Sequence, residues 1–386
     1  MPIKVLYIAT GGTYGADQSL MMLLNELEEQ ISPYVIMPHK LGLQDFLTKK
    51  NIPYTKIKMR QCSVPKITSF KSFIFFPIKL FMAIRYNFFI SSKLKKIVCD
   101  FQPDIIHSNV GVFRIGHKLS LKYGIPHIWY LREYQDKDMG RWILGGRKRL
   151  IALLKQGNNY PIPITKGIAD YFDVPYKNIV YNGIFRKNQL TFNPQKEKFF
   201  LFAGNVYKEK GVTTLVESFC RFALHNNTFK LYIAGGYSNS YKHELMRIIE
   251  KYKIDTKQIL FLGKITKEEV MQFMSVATAL IVPSYYEAFG RVVAEAMCSG
   301  CLVICNNTHG LKEQLDNGME ITGEEIGLRY NALPEDLKNR MQEVADKGIA
   351  HYFPVIHRSQ YVINKLYTCE EYGKSIDKIY CKILNI

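Results

Sequence analysis

The sequence PSYYEAFGRVVAEAMCSG occupies residues 283–300 and is the most informative stretch of the chain. The apolar run at residues 279–282 comes directly before it and predicts a buried strand that ends in a loop. A small turn then leads into a helical pattern at residues 292–297. Glu287 therefore precedes a helix N-terminus, and Glu295 lies inside that helix about two turns later.

This arrangement of two acids around a helix N-terminus favours a particular kind of ligand. Backbone N–H groups at a helix N-terminus attract anions, especially phosphate. Two carboxylates beside such a site suit a ligand that carries both phosphate and many hydroxyl groups, as a nucleotide sugar does. Taken alone, the stretch is equally compatible with an exposed helix that carries two solvated acids.

The rest of the chain alternates apolar runs with helical patterns. The runs predicted as parallel strands are residues 5–9, 34–37, 105–107, 128–131, 162–164 and 179–181, followed by 199–203, 230–234, 259–262, 280–282 and 302–304. Helical patterns between them include residues 20–27, 213–224, 244–252 and 267–277. Continuous apolar strands that alternate with helices indicate parallel sheets covered on both faces. We therefore predict an α/β protein with two doubly wound, Rossmann-like domains.

A polar segment at residues 185–198 marks the predicted domain boundary. We expect an N-terminal domain at residues 1–186 and a C-terminal domain at residues 187–367, facing each other across a cleft. The first strand of each predicted domain runs into glycine, in the sequence GGTYG at residues 11–15 and at Gly204. GGTYG lacks the spacing of the dinucleotide fingerprint, which disfavours nicotinamide cofactors.

Composition sets broader limits on the class of protein. A chain of 386 residues with 47% hydrophobic residues suits a globular protein of about two domains. We expect neither a signal peptide nor a membrane-spanning segment. The eight cysteines lie in apolar patterns, which is typical of reduced thiols in a cytosolic protein. Cys298, Cys301 and Cys305 have a spacing that metal sites use, but the run CLVIC predicts a buried strand instead of a zinc site.

Several landmarks together resemble family 4 glycosyltransferases, which have the GT-B fold. They are VYNGI at residues 180–184, Lys210-Gly211, LYIAGG at 231–236, FLG at 261–263, and residues 283–297. The resemblance covers most of the chain and is looser in the first half, where GGTYGADQSL at 11–20 and DIIHS at 104–108 match. It implies a retaining transfer from a nucleotide sugar, such as a UDP- or GDP-sugar, with no other cofactor. It also implies that a helix at about residues 368–386 packs back on the N-terminal domain.

The resemblance assigns a donor site to the second half of the chain. Glu295 would accept hydrogen bonds from the ribose hydroxyls, and Glu287 would lie beside the transferred sugar. Lys210 would neutralise the leaving diphosphate. The sugar and the diphosphate would be held by the backbone amides of Phe289, Gly290 and Arg291.

Other positions complete the implied site. Gly15 and Ala16 would let the backbone approach the same phosphate, and Gly263 and Lys264 would lie near the base. Asn205 stands where the family often has an arginine, so phosphate binding would depend more on Lys210.

A second departure from the family concerns its site histidine. Matching Gly124-Ile125-Pro126 to the family pattern places Arg132 at that position, and arginine cannot act as a base at neutral pH. Arg132 and Glu133 are therefore candidates for holding a sugar hydroxyl or a phosphate, or else they form a solvated ion pair at a strand end. His107 ends a predicted strand as either a structural histidine or a substrate contact.

The sequence Asp136-Lys137-Asp138 spells the metal-binding acid pair of the other large glycosyltransferase fold. That motif normally follows a hydrophobic strand, whereas here it follows polar residues. We predict a wet loop and a reaction that needs no metal ion.

The charge of the chain is unusual. Its net charge is +18, and residues 46–99 contain no Asp or Glu. The same segment holds Lys49, Lys50, Lys56, Lys58, Lys66, Lys71, Lys79, Lys93, Lys95, Lys96, Arg60 and Arg85. Cations among the aromatic residues at 70–90 favour an anionic membrane surface. Nucleic acid is the competing anion, and an ordinary core helix with a solvated basic face is the simplest alternative.

These observations together predict a glycosyltransferase that is cytoplasmic and peripheral on the inner face of the cell membrane. It would add a sugar to a lipid-linked or oligosaccharide acceptor in surface polysaccharide assembly, such as capsule or lipopolysaccharide, and would bind no nucleic acid. The main alternative is a non-catalytic basic protein that binds anionic lipid or nucleic acid. An epimerase or a phosphorylase on the same scaffold is a further alternative.

Overall fold

The computed structural model describes residues 2–12, 15–39, 41–67, 70–88 and 90–386. Thr13 and Tyr14 of the GGTYG loop and Phe89 of the basic segment lie outside these residues. The chain divides into two compact units. Unit 1 is Met1–Gly183 together with Cys369–Ile386, and unit 2 is Ile184–Thr368.

The strands are short and mostly buried. They are β1 (Ile3–Ile8), β2 (Ile31–Met37), β3 (Tyr54–Lys56), β4 (Ser63–Pro65), β5 (Ile105–Ser108), β6 (His127–Leu131), β7 (Arg141–Ile143), β8 (Asn159–Pro163), β9 (Glu197–Ala203), β10 (Lys230–Ala234), β11 (Ile259–Gly263), β12 (Ala277–Val282), β13 (Val303–Asn306) and β14 (Leu328–Tyr330).

Helices connect most of these strands. They are α1 (Ala16–Glu26), α2 (Leu43–Lys49), α3 (Phe70–Phe88), α4 (Ser92–Phe101), α5 (Ile115–Tyr123), α6 (Gly146–Leu154), α7 (Lys166–Phe172), α8 (Val212–Ala223), α9 (Asn239–Tyr252), α10 (Lys267–Val276), α11 (Arg291–Cys298), α12 (His309–Thr322), α13 (Pro334–Lys347), α14 (Phe353–Leu366) and α15 (Cys369–Leu384).

Each unit is built on a parallel sheet, as predicted, and each of these sheets has six strands. The order is β3-β2-β1-β5-β6-β8 in unit 1 and β11-β10-β9-β12-β13-β14 in unit 2. In both sheets the chain moves outward from the first strand in one direction, returns, and continues in the other direction. Such a reversal leaves a crevice beside the carboxyl end of the first strand, where open α/β sheets bind their ligands.

The apolar sequence patterns become the cores of the two units. In unit 2, α8 buries Val212, Leu215 and Phe219 against strand residues that include Phe200 and Ile233. In unit 1 a comparable cluster joins β1, β2 and β5 to helices α4 and α5. In each case one apolar stripe of a helix covers one face of the sheet.

The predicted strand at residues 179–181 is wrong. This segment has no strand structure. It is held beside the sheet by separate hydrogen bonds, since Val180 N donates to Pro163 O at 3.1 Å and Tyr130 Oη donates to Val180 O at 2.7 Å. The strands that the sequence missed are each three residues long: β3 and β14 lie at edges of the two parallel sheets, and β4 and β7 form a separate antiparallel pair.

The C-terminal helix α15 belongs to unit 1 and packs on α1. Its Tyr380 hydroxyl lies 2.8 Å from Tyr7 Oη and 2.6 Å from His107 Nδ1. All three side chains are completely buried. These hydrogen bonds fix the helix on the sheet of unit 1.

Candidate functional site

Three neighbouring strands of unit 2 end at glycines. Gly204, Gly235 and Gly263 follow or end β9, β10 and β11, and Gly235 N donates to Gly263 O at 2.7 Å. A Cβ added to Gly235 would lie only 1.7 Å from Gly204 O, so no other residue fits there. Asn205 and Lys264 come directly after two of these glycines, and both are exposed. The sheet edge is therefore bare backbone flanked by polar side chains.

Lys210 and Glu287 meet beside this edge. Lys210 Nζ forms an ion pair with Glu287 Oε1, and Ser284 Oγ donates to the same oxygen at 3.1 Å. The two charged side chains are only 24% and 18% exposed. Close backbone contact makes the meeting possible, because a Cβ on Gly211 would lie 2.0 Å from Pro283 O. Lys210 is thus part of a partly buried ion pair, which excludes the view of it as a solvated loop charge.

Glu295, in helix α11, is likewise part of a partly buried ion pair. Gly290 has a φ of +84° and caps α11, which begins at Arg291. Arg291 Nη2 lies 3.5 Å from Glu295 Oε1, and the two side chains are 14% and 20% exposed. Neither Glu287 nor Glu295 is a solvated acid. The two carboxylates flank the first turn of α11, where backbone N–H groups and the helix dipole favour an anion.

Helix α12 fixes the turn between Glu287 and α11. Gly310 N donates to Glu287 O at 3.0 Å, and Gln314 Nε2 donates to Phe289 O and, at 3.2 Å, to Gly290 O. The Phe289 ring packs edge-on against Tyr367, with centroids 5.1 Å apart. Sequence reasoning missed Gly310 and Gln314. The available signal was a Gly and a Gln four positions apart on the helix that follows β13.

In unit 1, Gly15 and Ala16 lie where the glycine loop enters α1. Gly15 has a φ of +53°, and α1 begins at Ala16. The buried carboxylate of Asp17 accepts hydrogen bonds from Thr10 N at 3.2 Å, from Gly12 N at 2.6 Å and from Thr10 Oγ1. Its burial raises the pKa of Asp17 above the usual value. Asp17 thus fastens the described part of the loop to its helix.

Arg132 is buried instead of forming a solvated ion pair. Its Nε donates to Asn109 O at 2.8 Å, Nη2 donates to Tyr372 Oη at 2.8 Å, and Nη1 donates to the Asn182 side chain. Its guanidinium also lies 3.7 Å from the centroid of the Tyr130 ring. Through these contacts, Arg132 joins the end of β6 to the segment near residue 182 and to α15.

Two further predicted candidates lie in structured surroundings of unit 1. His107 is completely buried, and its Nε2 has no hydrogen-bond partner among the residues that the structure describes. Its burial and the nearby charge of Arg132 lower the pKa of His107 well below the usual value. Glu133 lies beside Asp138, and burial together with this neighbouring carboxyl raises the pKa of Glu133 to about 7.

The Asp136-Lys137-Asp138 segment is more ordered than the wet loop that we predicted. The Asp138 carboxylate accepts hydrogen bonds from Tyr134 N at 2.8 Å and from Gln135 N at 2.7 Å, and Tyr171 Oη donates to Asp136 at 2.6 Å. Both acids therefore stabilise the turn after β6.

The remaining candidates follow their sequence patterns. Lys93, Lys95 and Lys96 are exposed on α4, whose opposite face buries Leu94 and Val98. Cys298, Cys301 and Cys305 are buried, and no cluster of potential metal ligands occurs among the described residues. Among the same residues, no helix is both long and apolar enough to cross a membrane.

Comparison with known proteins supports the resemblance at a coarse level. The family model described as Glycosyl transferases group 1 matches residues 185–345, within unit 2. An uncharacterized glycosyltransferase of Methanocaldococcus jannaschii is 27% identical over 280 residues, which cover 69% of this chain and 72% of that protein. The O-antigen chain mannosyltransferase RfbU of Salmonella typhimurium is 24% identical over 226 residues, covering 58% of this chain and 60% of that protein.

A solved structure with a similar fold is HepE of Anabaena, in complex with UDP and glucose. Its TM-score with this chain is 0.76 at 15% sequence identity, covering 98% of this chain and 100% of that one. An identity this low shows similarity of fold alone. This similarity of fold confirms the predicted α/β fold class with two Rossmann-like units.

Proposed function

We propose that this chain is a retaining glycosyltransferase of the family 4 type. It would move a sugar from a nucleotide sugar to a lipid-linked or oligosaccharide acceptor in surface polysaccharide synthesis. The observation that carries the proposal is the pair of partly buried carboxylates, Glu287 and Glu295, on either side of the first turn of α11. The match to group 1 glycosyl transferases supports the reaction class, and the O-antigen relative supports the kind of product.

The donor reaction separates charge, and unit 2 is suited to stabilise it. When the bond from the sugar to the diphosphate breaks, the electron pair leaves with the phosphate oxygen and positive charge grows on the sugar. Lys210 and the N-terminus of α11 would stabilise the leaving diphosphate. Glu287, freed in part from Lys210, would bind a sugar hydroxyl and would not act as a nucleophile. The departing phosphate would take the proton of the acceptor hydroxyl, which attacks from the same face.

Other donor contacts follow from the same placement. Glu295 would accept hydrogen bonds from the ribose, and the exposed Asn205 and Lys264 would lie near the phosphate and the base. HepE was solved with UDP and glucose, which supports a uridine nucleotide as the first donor to test. The reaction would need no metal ion, so activity should survive a chelator.

The acceptor would be reached at a membrane. The exposed lysines of α4 and the acid-free segment at residues 46–99 support a peripheral location on the cytoplasmic face of the cell membrane. Each basic residue near an anionic surface contributes about 1 kcal/mol to binding.

The decisive experiment measures release of nucleoside diphosphate from a panel of UDP- and GDP-sugars, with membrane lipid extract as acceptor. We expect release with one donor that depends on the acceptor, and a product with retained anomeric configuration. A protein that binds acceptor lipid but turns over no donor would instead be the non-catalytic binding protein. Inversion in the product would contradict the retaining assignment.

Two variants separate the roles of the acids. Glu295→Gln should weaken binding of both UDP and the nucleotide sugar by about tenfold, because the ribose is common to both ligands. Glu287→Gln should lower turnover without weakening UDP binding, because Glu287 contacts only the sugar and otherwise competes with the diphosphate for Lys210. Equal effects of both variants on UDP binding would contradict these roles.

A further inference from the structure

Unit 1 contains a cavity of about 390 Å³ at the carboxyl edge of its sheet. Thr10 and His39, which follow β1 and β2, line one side, and β4 lines another. Helix α3 closes the cavity with Lys79, Met82 and Ala83. The cavity thus lies beside the first strand of a doubly wound sheet, where such folds bind ligands.

The charges around this cavity select an anion. Arg60, Lys79 and Arg141 line it, and no carboxylate does so among the described lining residues. Arg141 is held in place because its Nε donates to Ser63 Oγ at 2.8 Å and its Nη2 donates to Ser63 O at 2.6 Å. A positioned arginine beside a second arginine and a lysine is a typical phosphate-binding set.

The outer face of α3 is apolar and exposed. Phe70, Phe73, Ile74, Phe81 and Ile84 are 79%, 61%, 53%, 64% and 46% exposed. They follow one another at helical spacing, so they form a single stripe along the helix. Burying one such side chain fully is worth about 1.5–3 kcal/mol, so the stripe favours an apolar environment strongly.

The mixture of residues on α3 favours a lipid surface over a protein partner. Lys71 and Arg85 lie beside the exposed apolar stripe, Lys79 lies on the cavity face of the helix, and residues 46–99 around it carry no acid. Interfacial helices combine aromatic residues with Lys and Arg in this way, whereas the cores of protein interfaces are depleted in lysine. The cavity and the stripe lie on opposite faces of one helix, so the hydrocarbon chain of a lipid bound in the cavity must pass around α3 to reach the stripe.

We propose that this cavity binds the diphosphate of a lipid-linked acceptor whose hydrocarbon chain follows the exposed stripe of α3 into the bilayer. The proposal rests on the proposed function and names the acceptor's chemistry. Arg60, Lys79 and Arg141 bind the diphosphate, and Phe73 and Phe81 contact the lipid phase. The sugar of the acceptor lies outside this cation set.

Vesicle binding tests the proposal on the full chain. Three kinds of phosphatidylcholine vesicle are compared: undoped, doped with a long-chain polyprenyl diphosphate, and doped with phosphatidylglycerol to equal charge. We expect the tightest binding to the diphosphate vesicles and competition by soluble pyrophosphate. Equal binding to both anionic vesicles would overturn the diphosphate site and leave only a general attraction to anionic membrane.

Matched variants locate the binding. Arg60→Gln with Lys79→Gln should lower the ratio of binding to diphosphate vesicles over phosphatidylglycerol vesicles by about tenfold or more. Lys148→Gln with Arg149→Gln makes the same charge change on exposed positions of α6 outside the cavity, and it should keep the preference. A cavity double variant that keeps the preference would contradict the site.

The apolar stripe has its own test. Phe73→Ser with Phe81→Ser should weaken binding to all vesicles by at least about tenfold and should keep the pyrophosphate competition. If this variant instead converts a dimer to a monomer in size-exclusion chromatography and binds vesicles normally, a second copy of the chain covers α3 and the proposal fails.

Donor binding separates this proposal from the proposed function. A thermal shift with UDP or a UDP-sugar should be the same in wild type and in the cavity variants, because Lys210, Glu287 and Glu295 lie in unit 2 and the altered side chains are not among the proposed donor contacts. Diphosphate-selective vesicle binding without any sugar transfer would refute the proposed function and keep the lipid site. Sugar transfer to a water-soluble oligosaccharide, without preferential binding to diphosphate vesicles, would refute the lipid site and keep the proposed function.

Discussion

At the scale of single residues, the candidate site depends on charges that are already paired. Lys210 and Glu287 neutralise each other, and so do Arg291 and Glu295. Such pairs keep partly buried charges compatible with folding before a ligand arrives. A diphosphate can then take over Lys210, because it carries the same sign of charge as the Glu287 carboxylate that it displaces, and uncharged sugar hydroxyls can donate hydrogen bonds to the released carboxylate.

Lys210→Ala is the sharpest test at this scale. Loss of one donor at a leaving group typically costs about a hundredfold in rate, so we expect turnover to fall by more than about tenfold. Because the pair is partly buried, loss of one partner should also lower the unfolding temperature, so turnover is measured at a temperature at which the variant is fully folded. The comparison is Lys338→Ala, which removes an exposed pair with Glu335 in the same unit and should leave turnover unchanged. Normal turnover of Lys210→Ala would remove Lys210 from the mechanism.

At the scale of secondary-structure elements, the geometry depends on a helix that touches no predicted ligand. Helix α12 holds the turn before α11 through Gly310 and Gln314. Helix α4 keeps its lysines outward because Leu94 and Val98 anchor its other face. In both cases a helix packed on the sheet determines where functional groups point.

Gly310→Ala tests the support from α12. A Cβ at this position would lie 2.4 Å from Ala288 O and 2.8 Å from Phe289 Cα. Such overpacking typically costs about 1–3 kcal/mol in the free energy of unfolding. We expect weaker donor binding in addition, measured as a raised KM, because the turn that leads into α11 must shift. Met319→Ala, at an exposed position of the same helix, should leave KM unchanged; an unchanged KM in Gly310→Ala would show that the turn needs no such support.

Charge reversal on α4 tests membrane attachment. Replacing Lys93, Lys95 and Lys96 by Glu should abolish sedimentation with anionic vesicles, because each cation contributes about 1 kcal/mol and each new acid is repelled. Neutral vesicles provide the control for attachment through apolar residues. Wild-type protein that sediments equally with both vesicle types would show that these lysines do not attach the chain.

At the scale of the whole molecule, unit 1 has a buried network of histidines that the proposed chemistry does not use. His127 Nε2 lies 2.8 Å from Ser108 Oγ, and its Nδ1 lies 2.7 Å from Asn159 Oδ1. Burial lowers the pKa of His127 to about 3, and it also lowers the pKa values of His107 and His117. These side chains are therefore neutral in the folded unit at physiological pH.

The histidines should make unit 1 sensitive to acid. Between pH 6.5 and about 3 the unfolded chain binds a proton at His127 that the folded chain does not, so the free energy of unfolding falls as the pH falls. Each such histidine contributes a slope of up to about 1.4 kcal/mol per pH unit. Glu133 acts in the opposite direction, because its raised pKa makes the folded state the one that holds more protons below about pH 7.

Tryptophan fluorescence can follow this transition, because both tryptophans, Trp129 and Trp142, lie in unit 1. Urea unfolding at several pH values between 7 and 4 should give a shallower pH dependence for His127→Gln than for wild type. Glu133→Gln should give a steeper one. Identical pH dependence in wild type and His127→Gln would show that this histidine does not set acid stability.

The sequence alone was sufficient for the α/β class and for most strands, whereas the donor role of the predicted site residues stays a prediction. Apolar runs of strand length and a helix pattern after residues 283–290 depend on local periodicity, which a sequence displays directly. The same local patterns predicted a strand at residues 179–181, because they could not show that separate hydrogen bonds hold this segment beside the sheet.

Tertiary structure alone decided which side chains meet. Lys210 and Glu287 are 77 positions apart, and Arg132 and Tyr372 are 240 apart, so no local pattern could pair them. The cavity beneath α3 likewise gathers Thr10, Arg60, Lys79 and Arg141 from separate segments. Periodicity determines which face of an element is buried, whereas contacts between distant segments depend on how the elements pack, and packing creates both the ion pairs and the cavity.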